Sequence, residues 1–468
     1  MSIRNAAKAL LPAAVALTFF LLAPPQGLSL PAWRLFGIFL GAIVALMTQV
    51  LPEPSVLVIA VTCAACFAVP LKEVLQGYTD STLWLIVLAI FMSVGFKKSG
   101  LTRRVGLWMM DRFGKTSLGL AYVLGFMDLL LATSTPAAPA RGGGIVYPLA
   151  EGALGACGAS DPACPRKLGA YLTVLCYMMC MTTGVIFLTG LGPNLYNAKL
   201  AKDILGIDVD WTLWATASLP VFLGFLITPW LVYKVYPPEI DSLAYIGDSV
   251  RRQREALGPL TRDELLAACI FALVVSLWAT GGLTKLDATL AAFVGLSLML
   301  AVKLVGWKDL AEAKEAWSIL IWFGAVLGLS AGLTSQGFFT WFAGFLKATL
   351  PTSGLSPFAG LALIALLATL PHYLFASFVG YVAAFAPLFF SFVAATDVPR
   401  YPAFFLVAFL MGISSILTHY GNGLGPLLMA KGYNDKKSWW AIGLMLTAMH
   451  VVLCLTVGLG YWKLIGLW

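Results

Sequence analysis

Stretches of about 17 to 25 apolar residues, each long enough to cross the hydrocarbon core of a bilayer as a helix, recur along this 468-residue chain. They lie near 9–24, 33–50, 54–70, 82–96, 211–233, 264–281, 286–304, 317–345 and 438–462. Two more, near 169–200 and 402–430, are interrupted in the middle. The pattern predicts an all-α polytopic membrane protein with about 11 transmembrane helices. Usage agrees: 60% of residues are hydrophobic and only 11% charged, outside the range of soluble domains. Residues 1–24 carry Arg4 and Lys8 before an apolar stretch, as a secretory signal would. With so many later spans they read instead as a first transmembrane helix, 1–32. Nothing resembles a transit peptide, and the bacterial cytoplasmic (inner) membrane is the simplest home.

The net charge of +8 does not imply nucleic acid, because the basic residues sit in short connections beside spans, where they orient helices. With the N-terminus in the cytoplasm, most Lys and Arg fall on that side, densest in FKKSGLTRRVGLWMMDRFGK (96–115) and VRRQREALGPLTRDE (250–264). The eight cysteines suggest neither a disulfide framework nor a zinc site. Cys63 and Cys66 lie in an apolar helix without a second pair, Cys157 and Cys164 flank a cytoplasmic loop, and all eight read as packing residues.

LATSTPAAPARGGGIVYP (131–148) breaks an apolar region with prolines, glycines and an arginine, and too little apolar length surrounds it for two full crossings. A re-entrant hairpin over 116–150 fits, since irregular backbone at membrane depth is tolerated only where protein or a wet cavity surrounds it. PHYLFASFVGYVAAFAP (371–387), after the connection 347–357, predicts a second hairpin over 358–395, entering from the opposite side. Each hairpin precedes a broken helix, interrupted at FLTGLGPN (187–194) and LTHYGNGLGP (417–426). Two inverted repeats follow, 33–234 and 263–468, joined by a cytoplasmic linker 235–262, with a site near the midplane where the four interruptions meet. Pro139 suits the first position of a helix. The amides of Ala140, Arg141 and Gly142 would then point at a bound anion.

At these residues the sequence resembles the divalent anion/sodium symporter family, in its 2-oxoglutarate/malate translocator (dicarboxylate transporter) branch. The resemblance is carried by GYTDSTLWLIVLAIF (77–91), STPAAPARGGGIVYPL (134–149), LVYKVYPPEI (231–240), SILIWFGAVLGL (318–329), HYLFAS (372–377), LTHYGNG (417–423) and GYWKLIGLW (460–468). It implies a homodimer of elevator-type transporters carrying dicarboxylates, tricarboxylates or sulfate between two hairpin tips, with sodium or by exchange. The chain departs from the family where Ser-Asn-Thr at the first tip is replaced by Ala137, Ala138 and Pro139. At the second tip Ser377 is kept, but Phe378 and Val379 replace the rest of Ser-x-Thr. Hydroxyl and amide donors are lost, each worth about 1.5–3 kcal/mol toward a charged partner.

The expected substrate contacts are therefore Ser134, Thr135, Ala137, Ala138, Pro139, Ser377, Phe378, Val379, Thr418 and Asn422. Vestigial sodium sites would lie near Ala138, Gly192, Asn194, Ser377 and Gly421, and no other cofactor is expected. Arg141 carries a charge at membrane depth, costing at least about 2.5 kcal/mol. It is expected to pair with Asp128 and to hold the shape of the tip. Ser134 and Thr135 can equally bond their own backbone, and Ser377 can equally serve as a helix cap. His419 can titrate near neutral pH or simply pack, Thr189 joins Gly192 and Asn194 in the first break, and His372 and His450 read as core histidines. No metalloprotease, serine-hydrolase or P-loop motif is present, so an enzyme is not expected. The leading reading is secondary transport of a small organic dianion (malate, succinate, 2-oxoglutarate), by symport or exchange. Alternatives are a less polar organic anion, an anion channel or a ligand sensor. The tips are expected to face each other across a pocket poor in polar side chains, and exchange without sodium is the expected cycle.

Overall fold

In the computed structural model, which describes residues 3–49, 51–243, 247–349 and 356–468, every regular element is a helix. Among the described residues nine helices are long and apolar enough to cross a membrane, or ten if a bent pair counts as one span. Parts of the predicted connection 347–357 and linker 235–262 lie outside the described residues.

The first half runs α1 (Ile3–Leu21), α2 (Leu30–Thr48), α3 (Glu53–Phe67), the short α4 (Leu71–Leu75), α5 (Ser81–Ser99) and α6 (Leu101–Phe113). A hairpin follows, made of α7 (Ser117–Ala132), a π-helix at Pro139–Val146 and α8 (Tyr147–Ala156). Next come the broken helix α9 (Gly169–Ile186) and α10 (Gly192–Leu200), then α11 (Trp211–Ala217) and α12 (Leu219–Val235), bent by 52°. The linker holds α13 (Gly247–Ala256).

The second half gives α14 (Arg262–Thr284), α15 (Ala288–Ala301), the short α16 (Trp307–Ala311), α17 (Lys314–Ser335) and α18 (Phe338–Thr349). Its hairpin is α19 (Pro357–Leu367) and α20 (Phe378–Ala395), and its broken helix is α21 (Arg400–Ile413) and α22 (Leu424–Met429). The chain ends with α23 (Lys436–Leu453), a π turn and α24 (Leu459–Leu464).

Local sequence explains most boundaries. Side chains of Ser29, Asp80, Asp287 and Ser377 accept amide protons at the starts of α2, α5, α15 and α20. Thr261 and Glu264 form a reciprocal capping box on α14. Gly100, at φ 83°, lets the chain turn from α5 into α6. The apolar run 317–345 is two helices rather than one span: Gly337, at φ 72°, divides it into α17 and α18.

The same order of elements occurs twice, and the halves are interleaved. α5 packs on α15 of the second half, and α17 packs on α3 of the first. Beyond the breaks, α10 rests on the second arm of the second hairpin (α20), while α22 rests on the π-helix of the first. α9 is buried along its whole length. The interrupted helices thus form the centre of the molecule.

Candidate substrate-binding site

The first tip is held from behind by Arg141, whose side chain is fully buried. Its guanidinium donates to the carbonyls of Thr135 in the tip, Gly190 in the first break and Cys180 on α9. Its Nε lies 3.4 Å from Asp128 Oδ2 on α7. The same carboxylate oxygen accepts from the Thr183 hydroxyl. One cation therefore ties together four segments, through the carbonyls of the tip, the break and α9 and the carboxylate of α7, in an apolar interior. The Arg141 amide donates to Ala137 O at 3.1 Å, so this amide is spent inside the tip and does not face an anion.

The first break is stitched to the tip by further bonds. Gly192 N donates to Pro136 O at 3.1 Å, and Thr189 Oγ1 donates to Thr133 O at 2.6 Å. Asn194 Nδ2 donates to Gly184 O and Phe187 O, at 2.8 and 3.0 Å, closing the carbonyls freed where α9 stops.

The second half repeats the device with a different side chain. His372, buried just before the second tip, bridges Ser414 Oγ (2.8 Å) and Gly421 O (3.0 Å) in the second break. Because Gly421 O can only accept, Nε2 carries the proton that meets it. Arg141 on Gly190 and His372 on Gly421 occupy matching places. In both breaks the glycine folds back onto a carbonyl six positions earlier: a Cβ would sit 2.4 Å from Gly184 O at Gly190 and 2.2 Å from Ser415 O at Gly421. Tyr177 OH on α9 donates to Ser415 O (2.7 Å) and Thr418 O (3.2 Å), joining the first half to the second break.

Both tips and both breaks converge on a cavity of about 260 Å³. Ala137, Ala138 and Pro139 line it from one side, Ser377, Phe378 and Val379 from the other, and Gly192 and Asn422 from the breaks. Ser134, Thr135, Asn194, Thr418 and Gly421 are not in its wall. The first four are buried behind the tips. His419 accepts from Trp440 Nε1 at 3.1 Å and also lies outside the wall, while His450 is buried against Gly224.

Two carboxylates in the wall escaped the sequence reading: Glu53 in the first turn of α3 and Glu315 in the first turn of α17. Ser377 Oγ donates to Glu53 Oε1 at 2.7 Å while also capping the amide of Gly380 at 3.2 Å. One signal was available for Glu53, an acid set between two prolines (LPEPSV) at the mouth of an apolar run. No Lys or Arg is among the described residues that line the cavity. The positive contribution comes from the amino ends of α10 and α20, at Gly192 and Phe378.

A sodium ion needs several oxygens. Oxygens without an intramolecular partner are present: Ser134 Oγ, Thr135 Oγ1, Asn194 Oδ1 and Thr418 Oγ1, all buried. They are the buried oxygens of the first tip and the two breaks that remain free to accept a ligand. The apex residues Ala137, Ala138, Phe378 and Val379 add no side-chain oxygen.

Paired hairpin tips and broken helices around a shared cavity, within a bundle of apolar spans, define a polytopic secondary transporter. Residues 4–468 match the family described as the sodium:sulfate symporter transmembrane region, and the chain belongs to that family. It is 35% identical over 453 residues to the inner membrane protein YbhI of Escherichia coli, covering 95% of this chain and 94% of that one. It is 34% identical over 447 residues to the chloroplastic dicarboxylate transporter 1 of Spinacia oleracea, covering 95% and 79% respectively. The citrate/succinate antiporter of Escherichia coli is 31% identical over 487 residues, covering 99% of both. The fold is also that of the YdaH transporter of Alcanivorax borkumensis, at a TM-score of 0.53 and 13% identity, covering 84% of this chain and 88% of that one. The chain is a multi-pass membrane transporter of anions and not an enzyme.

Proposed function

We propose that the chain exchanges small organic dianions of the C4/C5 dicarboxylate class across the bacterial inner membrane, as a homodimer moving by an elevator mechanism. The convergence of both tips and both breaks on one cavity carries this reading. At about 260 Å³ the cavity lies below the ~300–1,000 Å³ of drug-sized sites and suits a compact metabolite. The names of the dicarboxylate and citrate/succinate relatives point to the same class. The apex is apolar and the unpartnered oxygens lie behind it, so a cation bound there would share no side-chain ligand with the substrate. That separation favours exchange without sodium.

The charge distribution supports a particular sidedness. Glu53 and Glu315 stand at the first turns of α3 and α17, the ends that the distribution of Lys and Arg assigns to the cytoplasm. The tips therefore lie level with the cytoplasmic ends of these helices, an inward-facing state. Here two carboxylates meet a dianion that no basic side chain holds, and they drive it out into the cytoplasm. At about 6 Å across a wet cavity, with an effective dielectric near that of water, each opposes a dianion by on the order of 1 kcal/mol. When the tips move outward, the carboxylates stay behind. Glu315→Gln should thus lower the KM on the cytoplasmic side by roughly tenfold and leave the external KM within about twofold. Uptake measured from both faces of oriented vesicles checks this, and an equal shift on both sides would refute the sided role.

The deciding assay is uptake into proteoliposomes across mono-, di- and tricarboxylates, with and without sodium and internal anion. We expect internal dicarboxylate to stimulate uptake several-fold and sodium to change it less than twofold. Steep, saturable sodium dependence without internal anion would overturn exchange, and net current without counter-substrate would indicate a channel. The wall residues Phe378, Val379, Trp322 and Phe323 favour a second reading, an anion with an apolar portion. The panel therefore includes aryl-substituted acids, and their selective uptake would establish that reading.

A further inference from the structure

A second cavity, of about 330 Å³, lies away from the substrate site, between the end of α5, helix α6, the returning arm of the first hairpin and linker helix α13. Two cationic side chains, Lys97 and Arg103, stand in its wall with no carboxylate among the lining residues. Nearby cations of the two basic blocks are engaged instead. Lys98 pairs with Asp309 at 2.6 Å, Arg104 with Glu264 at 2.7 Å, and Arg254 of α13 with Asp111 at 2.6 Å. Lys97 and Arg103 take part in no ion pair among the described residues. Lys97 reaches over the glycine run of the hairpin, where a Cβ at Gly144 would lie 3.9 Å from its Nζ.

The rest of the wall is mainly apolar, with Leu107, Met110 and Leu149 beneath the two charges. A soluble anion would find most of this surface useless, whereas a ligand with a charged head and an apolar body fits both parts. Helix α6 supplies the access. It exposes Trp108 and Phe113, stacked edge to face with centroids 6.1 Å apart, together with Arg103 and Arg112. Aromatic side chains beside arginines on an amphipathic helix are what the headgroup layer favours. The side carrying this basic block is the cytoplasmic one, where anionic lipids attract Lys and Arg.

We propose that this cavity binds the phosphodiester headgroup of an anionic phospholipid, with Lys97 and Arg103 on the phosphate and the acyl chains leaving along α6. The occupant bridges α6 and the first hairpin, so its binding acts on the part of the molecule that carries one substrate tip. The assignment is independent of the transported substrate.

The test is native mass spectrometry and thermal melting of the purified full-length protein, titrated with phosphatidylglycerol, phosphatidylcholine, glycerol phosphate or inorganic phosphate. Phosphatidylglycerol should bind and raise the melting temperature, with phosphatidylcholine at least tenfold weaker. The double variant Lys97→Gln/Arg103→Gln should weaken phosphatidylglycerol binding by roughly tenfold to thirtyfold. A control variant, Arg251→Gln/Arg252→Gln on the same face, should change it less than threefold. Both variants alter exposed side chains, and a melting curve without lipid verifies that each is folded. Equal binding of the two lipids, or an unchanged affinity in the double variant, overturns the proposal. So does an equal effect of glycerol phosphate or inorganic phosphate, which would make the ligand a free anion.

Discussion

Replacing Arg141 with Met should remove the folded protein from detergent extracts, at a cost of about 3–5 kcal/mol. The side chain is fully buried and serves carbonyls of Thr135, Gly190 and Cys180 besides its 3.4 Å approach to Asp128. Its loss strands the carbonyls of Thr135 and Gly190 and leaves Asp128 as an uncompensated charge. Arg141→Lys should be nearly as damaging, because one ammonium cannot serve acceptors spread around a planar guanidinium. Adding Asp128→Leu to Arg141→Met removes the stranded charge and should recover part of the stability. The check is thermal melting followed by fluorescence-detected size exclusion. A single variant melting within about 2 °C of the parent would mean that the four-way contact is dispensable.

The second large effect is expected at the matching glycines of the breaks. Gly190→Ala and Gly421→Ala each place a methyl group against a backbone oxygen, at 2.4 and 2.2 Å, where no flexible side chain can yield. Overpacking of this kind costs about 1–3 kcal/mol or more. Here the displaced atoms are the turns that shape the cavity, and Gly190 O and Gly421 O are also the acceptors for Arg141 and His372. Uptake should fall by roughly tenfold or more in each variant. Gly152→Ala, with nothing within 4 Å of the added carbon, should transport normally. Normal transport by Gly421→Ala would show that the second break tolerates a different turn.

Part of this site was readable from the chain and part was not. The tips announced themselves because prolines, glycines and one arginine have few other uses inside apolar segments. Which oxygens face the cavity was not readable. Ser134, Thr135 and Thr418 sit in the interruptions yet are buried behind the apex, because a turn of irregular backbone gives no period from which to assign a face. Glu53 and Glu315 were missed for a different reason. They belong to helices distant in sequence from the tips, and only the packing of α3 and α17 brings them to the cavity. Likewise, 317–345 read as one apolar run because hydropathy does not register a single left-handed glycine such as Gly337.

The interleaving of the halves has a consequence for biogenesis. The π-helix of the first hairpin has its partner in α22, and α3 has its partner in α17, both made long after the first half has left the ribosome. At about 5–20 residues per second, some tens of seconds at the slower rate separate α3 from α17 and the first hairpin from α22. During that interval Arg141 and the unwound turn at Gly190 already need their mutual bonds, which are formed within the first half, whereas the surfaces awaiting α17 and α22 must be covered by lipid or by the insertion machinery. A ribosome stalled before α17 would therefore leave a first half that is locally stitched, exposes two unfilled grooves to the bilayer, and is a natural substrate for membrane proteases.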